Sequence, residues 1–156
     1  MEVICKIAET EAERKQAFLI RNEVFVVEQG LFEATDLDEF DDSAIHIIAE
    51  CEKRVVGTVR VYQDRYDRWL GGRLAVLPGR RRGKVGSLLV REAVKTAKSR
   101  GAQSFLAFIQ LQNVRYFRRL GWKSVGPVVL YHGVLHQKMA ADLNLDYAAN
   151  YQRFAA

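Results

Sequence analysis

Residues 72–100 read GRLAVLPGRRRGKVGSLLVREAVKTAKSR, and this stretch decides the fold. Arg73 to Leu77 is a short, mostly apolar run that ends at a proline, the pattern of a buried strand. Pro78 to Lys84 is a turn in which four of the five residues Arg80 to Lys84 are cationic. From Val85 to Arg100 apolar residues recur at positions 85, 88, 89, 93, 94 and 97, the spacing of one helix face. Lys98 and Arg100 fall in the last turn and Gly101 follows as a stop signal. A strand that runs through a basic, Gly-containing loop into a helix is a physical device for holding phosphate. The first four helix amides have no partner within the helix, and the helix dipole is positive at that end. Gly83 and Gly86 carry no Cβ, so an anion can approach the backbone, and the loop's arginines can grip phosphate oxygens. A basic turn on a solvated surface would carry the same residues. The loop is not a P-loop, because Val85 stands where that motif needs Ser or Thr. Nor is it a dinucleotide fingerprint, since no G-x-G is present.

Working outward, Trp69 to Leu77 is the whole strand. Before it, Ala44–Cys51 and Arg54–Gln63 read as a hairpin that turns at Glu52 and Lys53. Glu2–Ala8 is a first strand. Thr10–Arg21 is a helix, with Thr10 as N-cap and Glu13 completing a capping box. Asn22–Gln29, NEVFVVEQ, reads as a strand on propensity, with a short helix as the alternative. Beyond the central helix, Gln103–Gln110 is a buried strand and Asn113–Leu120 a short helix closed by Gly121. Trp122–Tyr131 and Leu135–Ala140 are the last strands, turning at His132 and Gly133. The order predicts an α/β (α+β) domain with a mixed, largely antiparallel sheet flanked by helices. Its central strand–helix–strand crossover should be right-handed.

A chain of 156 residues is expected to form one domain, with a core at about 3–140 and a tail at 141–156. At 49% hydrophobic and 28% charged, the composition is that of an ordinary globular protein. Apolar runs last only a few residues, too short to span a membrane. No secretory pattern opens the chain, so a cytoplasmic location is expected. Cys5 and Cys51 are too few for a disulfide framework or a metal cluster and read as small buried residues. Residues 1–50 carry a net charge of −9 and residues 51–156 a net of +14. One half should then favour a cationic ligand and the other an anionic one; charge balance between halves that pack together gives the same numbers. EATDLDEFDD, residues 33–42, holds six carboxylates in ten residues but lacks the central glycine of an EF-hand. It reads as a solvated loop or as an acidic lip that attracts a basic substrate.

VLPGRRRGKVGSLLV, residues 76–90, resembles the acetyl-coenzyme A loop of the GNAT superfamily of N-acetyltransferases. Arg81 takes the first position of that loop's pattern and Gly86 the last, while Lys84 stands where an inner glycine is usual. RNEVFVVEQ at 21–29 with the acidic loop, and YHGVLHQKM at 131–139, resemble ElaA-type acetyltransferases. YFRRLGW at 116–122 resembles the superfamily's late helix and the strand after it. FVVEQGLF, GTVRVY, WLGGRLAV, QLQNVRYFRRLGW and HGVLHQKMAADL are similar to a bacterial group of nitrogen-starvation N-acetyltransferases. That likeness suggests small-molecule nitrogen metabolism and names no substrate. Together the resemblance covers residues 3 to about 140.

The resemblance implies an acyltransferase that moves an acetyl group from acetyl-CoA to the amine of a small molecule, without a metal. Leu74, Ala75 and Val76 would offer backbone groups to the pantetheine arm. Arg81, Arg82, Gly83, Lys84, Val85, Gly86 and Ser87 would hold the pyrophosphate. Gln110, Asn113 and Phe117 would lie where the arm passes the late helix. The superfamily's acid is a tyrosine at the position of Phe117; here the tyrosine is Tyr116, and one step on a helix turns a side chain by about 100°. An attacking amine must lose a proton, and Glu28, His46 and His136 are candidates to take it. Histidine as a residue type suits the task and His136 falls near the late strands, while His132 and His136 lack a third ligand for a metal. The expected partner is the small-molecule amine, with no nucleic acid and no membrane; a homodimer is left open. Two other readings remain at this point. One is a coenzyme A sensor without turnover, which the departures at Lys84 and Phe117 would permit. The other is a nucleic-acid module, suggested by the basic later part and by Phe105, Phe108, Tyr116 and Trp122.

Overall fold

The computed structural model describes residues 2–145; residues 146–156 of the expected tail lie outside the described residues. The strands in chain order are β1 (Val3–Ile7), β2 (Ile45–Cys51), β3 (Arg54–Gln63), β4 (Trp69–Val76), β5 (Phe105–Gln110), β6 (Lys123–Tyr131) and β7 (Val134–Ala140). They form one sheet in the order β1-β2-β3-β4-β5-β7-β6. The helices are α1 (Glu11–Arg21), α2 (Val85–Ser99) and α3 (Val114–Arg119). Every neighbouring pair of strands is antiparallel except β4 and β5, which run parallel with α2 as the crossover. The mixed, largely antiparallel sheet read from the sequence is therefore the one present.

Alternation along the strands sends successive side chains to opposite faces. Ile47 joins the core under α2, with Val61, Leu89, Ala93 and Phe105, while its neighbour Ile48 packs with Ala17 of α1. Helix α2 is held by its buried stripe of Val85, Leu89, Val90, Ala93, Val94 and Ala97. Leu89 has no solvent exposure, and its truncation to alanine should cost about 2–5 kcal/mol. At α1 the capping box forms as read: the Thr10 side chain accepts from the Glu13 amide, and the Glu13 carboxylate accepts from the Thr10 amide. The turn at Glu52 and Lys53 is also present. Both residues have positive φ, 52° and 65°, as a two-residue hairpin turn that follows the strand twist requires.

The strand reading of Asn22–Gln29 is overturned. Asn22–Glu28 extends α1 as a wider π-helical turn, and the Gln29 amide donates to the Val24 carbonyl five residues back. Ile20, Val24 and Phe25 pack on Ala75 of β4. Burial against the sheet outweighs the local preference of a β-branched run.

Candidate active site

The parallel pair is short. β4 and β5 are joined only at Trp69/Phe105, Leu70/Leu106 and Gly71/Ala107. Both strands run on past this point, to Val76 and Gln110, without pairing to each other. The cause lies in β4. Arg60 faces Gly72 and Thr58 faces Ala75, so Arg73 and Leu74 together oppose Val59. This is a bulge, which bends a strand away from its neighbour. Arg73 sits at its centre with φ 51°, a left-handed conformation that costs a non-glycine residue about 1–3 kcal/mol. The Gly71-Gly72 pair before it was the sequence signal for an interrupted strand.

A cavity of about 400 Å³ fills the parting of the two strands and reaches both faces of the sheet. On the α1 face it is lined by Phe32, Phe40, Tyr62, Tyr131, Asp38 and His136. On the α2 face it is lined by Val90, Ala93, Phe105, Ala107, Phe117 and Trp122. Of the residues expected at a donor site, Leu74, Gln110, Asn113 and Phe117 line it. Ala75 does not; it turns to Ile20 and Phe25 on the other face. Phe105 and Trp122, 1% and 4% exposed, belong to the core and cannot stack on nucleic-acid bases.

The acidic stretch is solvated only in part, at Glu33, Glu39 and Asp42, and its other three carboxylates are paired with arginines rather than presented as an open lip. Asp36 and Asp41 are buried and Asp38 is half-buried; Asp42 is exposed. Arg21 donates from Nε to Asp36 at 2.7 Å and from Nη1 and Nη2 to Asp41 at 2.7 and 2.9 Å. Arg60 donates to both oxygens of Asp38 at 2.6 and 2.7 Å and to Asp41 at 2.9 Å. Arg73 donates to the Asp36 carbonyl at 2.9 Å and to the Tyr131 hydroxyl at 3.0 Å, and it stacks over Phe32 at 4.7 Å. Three arginines meet three aspartates. Burial pushes the Asp41 carboxyl up, but the hydrogen bonds from Arg21 and the Asp38 amide overrule it and hold the group well below the usual range. Burial likewise works against charge on Arg60, and Asp38 with Asp41 overrule that too. The sequence carried the signal: Arg21 and Arg60 stand in apolar patterns, and a buried cation needs a buried anion.

The candidate bases separate. His46 is 2% exposed, donates from Nε2 to the Asp41 carbonyl at 2.9 Å and stacks edge-on with Phe18. Burial pushes its pKa down, and it supports the acidic loop away from the cavity. Glu28 is gripped by Arg81 through both guanidinium nitrogens, with Nη1 at 2.6 Å, and that hydrogen bonding lowers its pKa. Arg81 also donates from Nε to the Val76 carbonyl at 2.8 Å. With side chains 39% and 36% exposed, the Arg81–Glu28 pair is worth only ~0.2–1 kcal/mol. His136 lines the cavity and is 5% exposed. Its Nδ1 donates to the Val134 carbonyl at 2.8 Å, which leaves Nε2 of the neutral ring as the acceptor.

The loop from Arg80 to Lys84 is exposed apart from half-buried Arg80. Among the described residues no carboxylate lies within ion-pair distance of Arg80 or Arg82. Val85 is buried, and the Ser87 hydroxyl donates back to the Lys84 carbonyl at 3.0 Å. The hydroxyl oxygen of Tyr116 lies 3.1 Å from where a Cβ on Gly86 would stand. Tyr116 thus faces the first turn of α2, whereas Phe117 lines the cavity and packs edge-on to Trp122 at 5.4 Å. Neither cysteine is paired; burial pushes the Cys5 thiol up to about 12. No group of three or more His, Cys, Asp or Glu arranged to hold a metal ion occurs among the described residues. Among the described residues no helix is long and apolar enough to cross a membrane.

Residues 9–122 match the model of the acetyltransferase (GNAT) family. An uncharacterized N-acetyltransferase of Bacillus subtilis, YjcF, is 30% identical over 138 residues, 87% of this chain and 97% of that protein. The crystal structure of Escherichia coli ElaA superposes with a TM-score of 0.80 at 21% identity, covering 90% of this chain and all of that one. A coenzyme A-dependent acyl-homoserine lactone synthase, BjaI, solved with SAM and isopentyl-CoA, superposes with a TM-score of 0.76 at 17% identity, covering 97% of this chain and 88% of that one.

Proposed function

This chain belongs to the GNAT acetyltransferase family, and we propose that it transfers the acyl group of an acyl-coenzyme A, acetyl-CoA in the first instance, to the amine of a small molecule. It is an acyltransferase, and the family uses acyl-coenzyme A as co-substrate. The observation that carries the reading is the cavity in the parting of β4 and β5, which extends from Leu74 and Asn113 to His136. Past Gly71, β4 has no partner on its β5 side, so its backbone from Leu74 to Val76 can pair with the amides of a pantetheine arm. The amides of residues 82–87, with Arg80, Arg82 and Lys84, would meet the pyrophosphate. Arg81 and Glu28 fasten the loop to the end of the π-helical turn, and a phosphate can draw Arg81 away at little cost. Tyr116 then stands at the phosphate end of the donor, beside Gly86, rather than at the thioester.

The thioester arrives at the bulge, where the cavity opens to the α1 face. The neutral amine attacks the thioester carbon there. A C–N bond forms, the C–S bond breaks, the thiolate leaves on coenzyme A, and the nitrogen's proton passes to Nε2 of His136 directly or through water. The Nδ1–Val134 hydrogen bond holds the ring in the tautomer this step needs. Charge does not select the acceptor as an acidic lip would, because the network facing it balances three arginines with three aspartates. The finer likeness to the nitrogen-starvation group points to a nitrogenous metabolite.

The test is release of free thiol from acetyl-CoA across amines, polyamines and amino acids. His136→Gln should lower kcat by ~10²–10⁴-fold, with the affinity for coenzyme A unchanged. Full kcat in His136→Gln would remove the base from this reading. Binding of coenzyme A without thiol release for any amine would favour the sensor instead.

A further inference from the structure

The transfer just described uses the part of the cavity around Leu74 and His136. Apart from Phe117, which the donor's arm would pass, it leaves the section on the α2 face without a role. That section lies past the bulge, at the joined end of the two strands. Ala93 is eight residues into α2, ~12 Å from its first turn at 1.5 Å per residue. Helix α2 packs on β3 and β4, and Ala93 lines the cavity together with Gly71 and Ala107, the last pair that joins β4 to β5. The space exists because three small residues, Gly71, Ala93 and Ala107, face three rings, Phe105, Phe117 and Trp122. Phe105 and Trp122 pack at 5.6 Å between centroids and close the far wall. Ala93 and Phe105 are 2% and 1% exposed, so bulk water has little access to this end.

An amine does not belong there. Among the lining side chains on this face the one polar atom is Trp122 Nε1, a donor that is itself buried without a partner. An amine would be stripped of water and offered nothing to donate to. An acetyl group has a single methyl carbon and would leave this section empty. An apolar cavity of ~150 Å³ is enough for a six-carbon ring, so the whole cavity has room for a tail as well as the reacting groups.

We propose that the α2-face section of the cavity, between Ala93, Ala107, Phe105 and Trp122, is an acyl-tail site. The donor this chain takes is then the coenzyme A thioester of an aliphatic acid of roughly four to eight carbons, sized by that same comparison with a six-carbon ring. This rests on the reading of the parting as the donor site. Gly71 is part of the design: a Cβ there would meet the Phe105 ring at 2.8 Å, so a side chain at this position would push that ring out of the place from which it lines the site.

The experiment is calorimetry of the full chain with coenzyme A, acetyl-CoA, butyryl-CoA and hexanoyl-CoA. Each buried methylene should tighten binding roughly fourfold. Hexanoyl-CoA should therefore bind at least ~10-fold more tightly than acetyl-CoA, allowing for incomplete burial of the tail. Ala93→Leu, which fills the site from α2, should abolish that advantage and leave the affinity for free coenzyme A unchanged. Ala107→Val fills it from β5 and serves if Ala93→Leu does not fold. Equal affinities for acetyl- and hexanoyl-CoA in the unaltered chain overturn the proposal. So does a length preference that survives a folded filling variant, because the tail then lies elsewhere. No binding of free coenzyme A overturns the donor-site reading beneath it.

Discussion

Two clusters of charge flank the cavity, and they are built in opposite ways. The Asp36–Asp41 segment is strongly acidic in sequence yet neutral in space, because Arg21, Arg60 and Arg73 come to it from α1, β3 and β4. The Arg80–Lys84 loop is basic in sequence and stays basic in space, with Arg80 and Arg82 outside ion-pair distance of any described carboxylate. The difference teaches where the chain's charge asymmetry goes. Arg60, Arg65, Arg73 and Arg81 of the later part all pair with acids of the first fifty residues. Most of the acidity is consumed in holding the structure together. What remains for a ligand is cationic and sits beside the first turn of α2.

Breaking the internal cluster should therefore cost stability, and breaking the loop should cost binding. Arg21→Met leaves Asp36 and Asp41 buried without their main partner and should destabilise the chain by about 3–5 kcal/mol, read from urea unfolding. A loss under 1 kcal/mol would mean the network is solvated after all. Gly86→Val should leave unfolding nearly unchanged but weaken coenzyme A binding by ~10–100-fold, the worth of one or two hydrogen bonds to a charged group. Because a Cβ at 86 also crowds the Tyr116 hydroxyl, the double variant with Tyr116→Phe separates the causes. Affinity restored in the double variant would assign the effect to the tyrosine rather than to the phosphate.

Acid titration sharpens the contrast further. Asp38 and Asp41 have folded pKa values below their unfolded ones. Their stabilisation is therefore complete above the ordinary aspartate value of about 3.9 and is lost as pH falls through the folded values. Below pH ~4 stability should drop by up to ~1.4 kcal/mol per pH unit for each such group, and Arg21→Met should flatten that slope. Circular dichroism melts between pH 2 and 7 would show it. The smallest expected effect is at the loop's surface. Arg80→Gln and Arg82→Gln should each weaken coenzyme A binding by a few-fold at low salt, an effect of about 1 kcal/mol or less that fades toward 1 M salt. A salt-independent loss would place these side chains in direct, desolvated contact.

Local signals carried the fold. The strand, basic turn and helix of residues 69–100, the Thr10–Glu13 capping box and the Glu52-Lys53 turn are each decided by neighbours in sequence, and each is present. What local signals could not carry was the π-helical turn at Asn22–Glu28, whose form is decided by Ala75 some fifty residues away. The ion network was half legible. Arg60 in GTVRVY is an inward charge on a buried strand, and that alone demanded a carboxylate, although not which one. Of the candidate site, the basic loop was legible in the sequence, whereas the partners that hold Glu28 and His46, Arg81 and the Asp41 carbonyl, were not.

The short β4–β5 ladder has a dynamic consequence as well. β1–β4 and β5–β7–β6 are each continuous antiparallel units, and across the middle of the sheet they share three residue pairs. In amide exchange the two units should behave as separate foldons, with the rungs at Gly71 and Ala107 opening before either unit does. A ligand seated in the parting would bridge both, so exchange at those rungs should slow more than at any other place in the sheet. Slowing spread evenly over all seven strands would instead show that the sheet already opens as one.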